Sequence, residues 1–155
     1  MRHKIILLVA MCIAGTAIAD EAADAGGKLY EYFEAFNARD TQRVANEIYS
    51  TPVHIGGGQG HRVLQTPQAA VDNLDNLYEV IKGRGWKESR ISDLSICLLS
   101  DALALVDTQY SRLTADGDPI PPALRTVLYV LQKIEGDWRI VAFYSHDNDK
   151  RPVCG

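Results

Sequence analysis

The sequence has little of what several classes of protein require. It contains three cysteines and four histidines, and none of them follows the paired spacing of a zinc site. It has no Gly-x-Ser-x-Gly nucleophile elbow and no glycine-rich phosphate loop between a strand and a helix. A net charge of −4, without a basic face, disfavours nucleic acid or an anionic membrane as partner. We therefore expect no metal and no cofactor.

Long apolar runs are also missing, with one exception at the amino terminus. The apolar segment Ile5–Ile13 follows Arg2 and Lys4, and small residues lie at Ala17 and Ala19. This pattern is typical of a cleaved signal peptide, and the segment is shorter than the about 20 residues that span a bilayer. The sequence predicts a signal peptide over residues 1–19, a periplasmic or secreted protein, and no membrane association after cleavage.

The rest of the chain predicts one domain with helices first and strands last. An apolar stripe with helical spacing begins at Leu29, Asp40 can cap a second helix, and Thr66-Pro67 is typical of the start of a third. Two short strands lie between the second and third helices, and four long strands in two hairpins follow. We expect a disordered lead-in over residues 20–27, the domain over 28–148 and a tail over 149–155. The predicted fold class is α+β, a cone-shaped curved antiparallel sheet packed against three N-terminal helices.

Three segments together resemble one known superfamily. They are Tyr-Phe-Glu-Ala-Phe-Asn-Ala-Arg-Asp at 32–40, Thr-Pro-Gln-Ala-Ala at 66–70 and Gly-Asp-Trp-Arg-Ile-Val at 136–141. In this order and spacing they resemble the nuclear transport factor 2-like superfamily, which includes SnoaL-like cyclases and ketosteroid isomerases. The resemblance implies a pocket between the helices and the sheet. It does not imply one activity, because this fold carries enzymes, binding proteins and assembly modules.

The isomerase activity can be tested against this sequence. Tyr32 matches the tyrosine that donates to the substrate oxyanion in those enzymes. Their catalytic base is an aspartate before a Pro-Val pair, but Thr51 stands at that place here and cannot act as a carboxylate base. Their second oxyanion donor is an acid on the penultimate strand, and residues 129–132 contain none. We therefore reject ketosteroid isomerisation.

Several polar and aromatic residues are candidates for the pocket. His54 and His146 could act as general bases, or be solvent-exposed histidines without a role. The resemblance suggests that Arg125 points into the cone, where it would bind a carboxylate, although it could equally be a surface arginine. Asp107 is a candidate acid if its face is the concave one. The candidate pocket residues are Tyr32, His54, Tyr110, Arg125, Tyr144 and His146.

The function expected from these residues is the binding of a small apolar or carboxylate-bearing molecule, because the catalytic set is incomplete. The alternatives are a cofactor-independent SnoaL-like enzyme (isomerase, cyclase or lyase) that uses a histidine base, and a dimeric assembly module. Whether the chain is an enzyme stays open.

Two further expectations concern the strands and the cysteines. The long strands contain more apolar side chains than three helices would cover, which predicts a homodimer. The apolar residues in question are Ile96, Leu98, Val127, Leu131, Val141 and Phe143. Cys97 and Cys154 are expected not to form an intrachain disulfide, because Cys97 lies at the far side of the predicted sheet and only a fully extended tail would reach it.

Overall fold

The structure, a computed structural model, describes residues 14–58 and 60–154, and of residues 14–19 the backbone alone. The helices are α1 (Ala14–Ala38), α2 (Thr41–Arg43), which runs on into a π-helical turn (Val44–Ile48), and α3 (Pro67–Lys82). The strands are β1 (Tyr49–Gly56), β2 (Arg62–Leu64), β3 (Glu88–Ser100), β4 (Leu103–Leu113), β5 (Arg125–Ile134) and β6 (Asp137–His146). This order confirms the predicted succession of helices and hairpins.

The predicted helix starts are present as capped ends. The hydroxyl of Thr66 accepts a hydrogen bond from the backbone N–H of Ala69 at 3.2 Å, and Pro67 occupies the first helical position. Asp40 accepts from the backbone N–H of Arg43 at 3.0 Å. These contacts satisfy helix N–H groups that have no partner within the helix.

The six strands form one mixed, curved and unclosed sheet in the order β2-β1-β6-β5-β4-β3. The α+β class and the three helices on one face of the sheet are confirmed. The sheet is not purely antiparallel as expected, because β1 pairs with β6 in parallel. Hairpin signals in the sequence are local, whereas this pairing joins the first strand to the last.

Two faces of the sheet have different surroundings. The inner face packs under the helices, and its side chains include Val106 and Leu131, both fully buried. Of the residues on which the homodimer was predicted, five either belong to this core or pack against it: Ile96, Leu98, Val127, Leu131 and Phe143. Three helices therefore cover more of the sheet than the sequence suggested, and the homodimer stays a prediction.

Residues 20–27 are helical, so the expected disordered lead-in is wrong. Ala25 is fully buried, and Gly26 lies so close to β3 that a Cβ there would be 2.7 Å from Ile96 Cδ1. Glu21 forms an ion pair with Lys133 at 2.6 Å. The absence of a side chain at Gly26 lets α1 approach the sheet, and the helix gains an anchor that composition alone did not reveal.

The C-terminal tail crosses the outer face of the sheet. The side chain of Asn148 accepts from the hydroxyl of Thr126 on β5 at 2.6 Å, and Arg151 pairs with Asp107 on β4 and with Asp93 on β3. A disulfide then joins Cys154 to Cys97, with 5.5 Å between their Cα atoms, so the expectation of no intrachain bond is wrong. The prediction failed because contacts with β5, β4 and β3 in turn guide the tail across the sheet, so that Cys154 reaches Cys97.

The predicted signal peptide falls on residues 1–19, which lie largely outside the described part of the chain. Among the described residues, no helix is long and apolar enough to cross a membrane.

Candidate functional site

A cavity of about 880 Å³ opens at one end of the sheet, between α3, the β1–β2 connection, the β4–β5 connection and the end of β6. We call it the mouth cavity. Its apolar wall consists of Ile55, Leu77, Tyr110, Val127 and Phe143. Its polar residues lie mainly on the connections and at the end of β6. Polar and charged residues make up half of the lining. A concave space of this size with both apolar walls and polar groups is typical of small-molecule sites.

The inward-facing side chains of β4 bring an arginine into this cavity. Val106, Thr108 and Tyr110 are buried inward positions of the strand, and Arg112 is the next residue of that face. The Nε of Arg112 is buried and has no hydrogen-bond partner among the described residues. None of the described carboxylates forms an ion pair with it. The mouth cavity thus contains a guanidinium whose buried Nε–H has no acceptor among the residues that the structure describes.

Arg125, the arginine expected to bind a carboxylate, lines the cavity but is otherwise engaged. Its guanidinium donates to the backbone carbonyls of Ile120 at 3.1 Å, Pro121 at 3.1 Å and Pro122 at 2.6 Å. Burial lowers the pKa of Arg125, and the charge of Arg112 lowers it further. These three contacts hold the β4–β5 connection in place and occupy the guanidinium of Arg125.

His146 lies at the rim of the cavity, and both of its ring nitrogens are occupied. Nε2 is 2.7 Å from a carboxylate oxygen of Asp107, and Nδ1 is 2.9 Å from the backbone carbonyl of Asp147. Both ring nitrogens therefore have a partner within the protein. Asp107 itself faces outward, is 2% exposed and also binds Arg151, so it is not the concave acid considered from the sequence.

His54 and Tyr144 do not line the mouth cavity. His54 is an exposed residue of β1, and its Nδ1 lies 3.3 Å from Nε2 of His61. Tyr144 is 37% exposed, and its ring lies over Gly56 so closely that a Cβ there would collide with it. His61, an exposed residue after the β1–β2 turn, does line the cavity.

Tyr32 lies in an aromatic cluster in the core, outside the set of residues that line the cavity. Its ring is 5.8 Å from that of Tyr49 and 5.7 Å from that of Tyr129, and its hydroxyl is 3.4 Å from that of Tyr49. Burial raises the pKa of Tyr32 to about 12 and that of the other two well above the ordinary value. These phenols are buried, neutral and structural.

The alternation of side chains along β4 also identifies Arg112 in the sequence. Alternation along β4 makes Tyr110 a candidate wall residue, and the residue two positions further must share its face. The described residues contain no cluster of three or more metal-ligating side chains.

The comparisons with known proteins agree with this architecture. The model of the family described as NTF2-like protein (DUF6841) matches residues 23–148. No curated protein matches the chain.

Solved structures with the same fold come from several bacteria. An NTF2-like protein with a cystatin-like fold from Novosphingobium aromaticivorans has a TM-score of 0.69 at 11% identity, covering 89% of this chain and 88% of that one. The hexachlorocyclohexane dehydrochlorinase LinA-type3 from Novosphingobium barchaimii has a TM-score of 0.61 at 17% identity, covering 92% and 96%. An NTF2-like superfamily protein from Salmonella enterica has a TM-score of 0.60 at 13% identity, covering 88% and 96%. At these identities the similarity shows the fold alone.

Proposed function

We propose that this chain, which belongs to the family of NTF2-like proteins described as DUF6841, is an exported protein that binds a small molecule in the mouth cavity. The observation that carries the proposal is the cavity itself. The volume of the cavity, about 880 Å³, lies within the range of about 300–1,000 Å³ that is typical of sites for drug-sized ligands. Part of its wall is apolar, so that a ligand would bury apolar surface against it, and the rest is polar or charged.

Binding is favoured over base catalysis by the positions of the histidines. His146 offers no free ring nitrogen to a substrate, because both nitrogens already have partners. His54 lies outside the residues that line the cavity. A general base must reach the proton that it abstracts, directly or through one water. The related dehydrochlorinase demonstrates that this fold can carry an enzyme, but at 17% identity it transfers no residue roles.

Export is supported by the disulfide. Bonds of this kind persist in oxidising compartments and are rare in the cytosol. Cys97 and Cys154 form one in a chain whose first residues have the pattern of a signal peptide. A periplasmic or secreted protein with a small-molecule cavity is consistent with both observations.

The binding function can be tested with Nile red, a neutral dye whose fluorescence rises in apolar surroundings. Leu77 of α3 lines the cavity, so Leu77→Trp should fill part of it and weaken dye binding at least about tenfold. Val80 lies on the same helix and is 57% exposed, so Val80→Trp is the matched control and should leave binding unchanged. Equal dye binding by the two variants, or no binding to the native chain, would contradict the proposed function.

A further inference from the structure

We infer that the ligand of the mouth cavity carries a carboxylate and that Arg112 binds it. This inference rests on the proposed function and adds the chemical class of the ligand and the residue that selects it. The guanidinium of Arg112 lies in the cavity wall, and its buried Nε has no partner among the described residues.

Burial of the Nε–H of Arg112 without an acceptor lowers the stability of the folded chain. A buried donor without an acceptor loses its hydrogen bonds to water and gains none in return. Other arginines of this chain do have acceptors: Arg139 donates to the carbonyl of Asn46 at 2.8 Å, and Arg151 pairs with two aspartates. The position of Arg112 therefore fits a residue whose hydrogen-bond acceptor is supplied by a ligand.

The charges around Arg112 favour an anion. Arg125 is close enough for each charge to be felt by the other. Arg62 also lines the cavity, but it is exposed, so solvent screens its charge. Two aspartates, Asp147 and Asp149, line the cavity as well, and the first of them is paired with Lys150 at 3.1 Å. The chain as a whole has a net charge of −4, so an anion that bound here would be attracted by the cavity and not by the protein's general field.

A carboxylate fits this surrounding better than a phosphate does. A guanidinium forms two parallel hydrogen bonds with a planar carboxylate. Besides Arg112, the cavity contains Arg62, which is exposed, and Arg125, whose guanidinium is already bound to backbone carbonyls. A doubly charged phosphate would need several further donors, whereas the guanidinium of Arg112, on the same strand face as Tyr110, suits a single acid group on a partly apolar molecule.

The test is calorimetric titration with pairs of ligands that share a carbon skeleton and differ only in having a carboxylate or a neutral amide: benzoate and benzamide, naphthoate and naphthamide, octanoate and octanamide. The native chain should bind at least one carboxylate about tenfold or more tightly than its amide, the factor that a charge-assisted hydrogen bond contributes. Arg112→Met should remove that preference without lowering thermal stability, because the substitution also removes a buried donor without a partner. Arg62→Met is the matched control, since Arg62 lines the same cavity but is exposed, and it should keep most of the preference.

The outcomes separate this inference from the function on which it rests. If Nile red binds in the cavity but acids and amides bind equally, the binding function stands and the carboxylate inference is overturned. If the preference survives Arg112→Met and is lost in Arg62→Met, the anion binds elsewhere and the assignment is wrong. If neither the dye nor any of the six molecules binds to the native chain, both proposals fail. A marked loss of stability in Arg112→Met would show that this arginine has a structural partner, which overturns the argument.

Discussion

Removal of the disulfide should lower the free energy of unfolding by about 4 kcal/mol. The bond joins residues 57 positions apart in the sequence. A crosslink stabilises mainly by restricting the unfolded chain, with an entropy of about 2.1 + 1.5R ln n cal/mol/K for a loop of n residues, which for this loop corresponds to about 4 kcal/mol at about 25 °C. This contribution is a large share of the free energy of unfolding of a typical domain, which is about 5–15 kcal/mol.

Denaturant unfolding of the double variant Cys97→Ser/Cys154→Ser would measure this loss as a lower transition midpoint. The native chain under reducing conditions is the control, and it should unfold together with the variant, because both lack the crosslink and share all other contacts. Arg151→Met keeps the bond but loses the ion pairs to Asp93 and Asp107, so it measures the contribution of those pairs separately. If the oxidised native chain and the double variant unfolded at the same midpoint, the disulfide would not stabilise the protein as predicted.

Four further outcomes are expected. Mass spectrometry of the protein from its host should find Asp20 as the first residue, whereas an intact Met1 would contradict export. Light scattering should give a homodimer, and the mass of a single chain would contradict it. Tyr32→Phe should cost about 1 kcal/mol of stability, the contribution of a typical hydrogen bond, and leave Nile red binding unchanged, since Tyr32 is in the core; weakened dye binding would count against that placement. Because the pKa of Tyr32 is raised to about 12 in the folded chain, stability should be complete below about pH 10, the ordinary tyrosine value, and fall as the pH rises through the folded value. Tyrosinate absorbance and circular dichroism should then change together, and ionisation of all tyrosines with the dichroism intact would contradict the burial of the cluster.

Local signals in the sequence predicted much of the fold. The cap at Thr66, the apolar stripe beginning at Leu29 and the alternation along the hairpins each specify their element through contacts within a few residues. The parallel pairing of β1 with β6 and the path of the tail could not be predicted in this way. Both depend on contacts between residues that are distant in the sequence, and neither leaves a local pattern.

The candidate site was harder to predict because a side chain's role depends on its partners. Tyr110 was expected to be a wall of the pocket and lines the cavity. Arg125 also lines it, but three backbone carbonyls of its own connection occupy the guanidinium, and no spacing rule indicates this. Arg112 shares the inward face with Tyr110, so strand alternation alone would have identified it. That its Nε has no partner is visible only in three dimensions.

An acid that binds in the mouth cavity through Arg112 should be visible in a crystal structure of the protein soaked with naphthoate. We expect the naphthalene ring to lie against Tyr110 and Phe143, with the carboxylate within hydrogen-bond distance of the Arg112 guanidinium. A cavity that stays free of naphthoate at saturating concentration, or a carboxylate bound to Arg62 or on the outer face of the sheet, would contradict it.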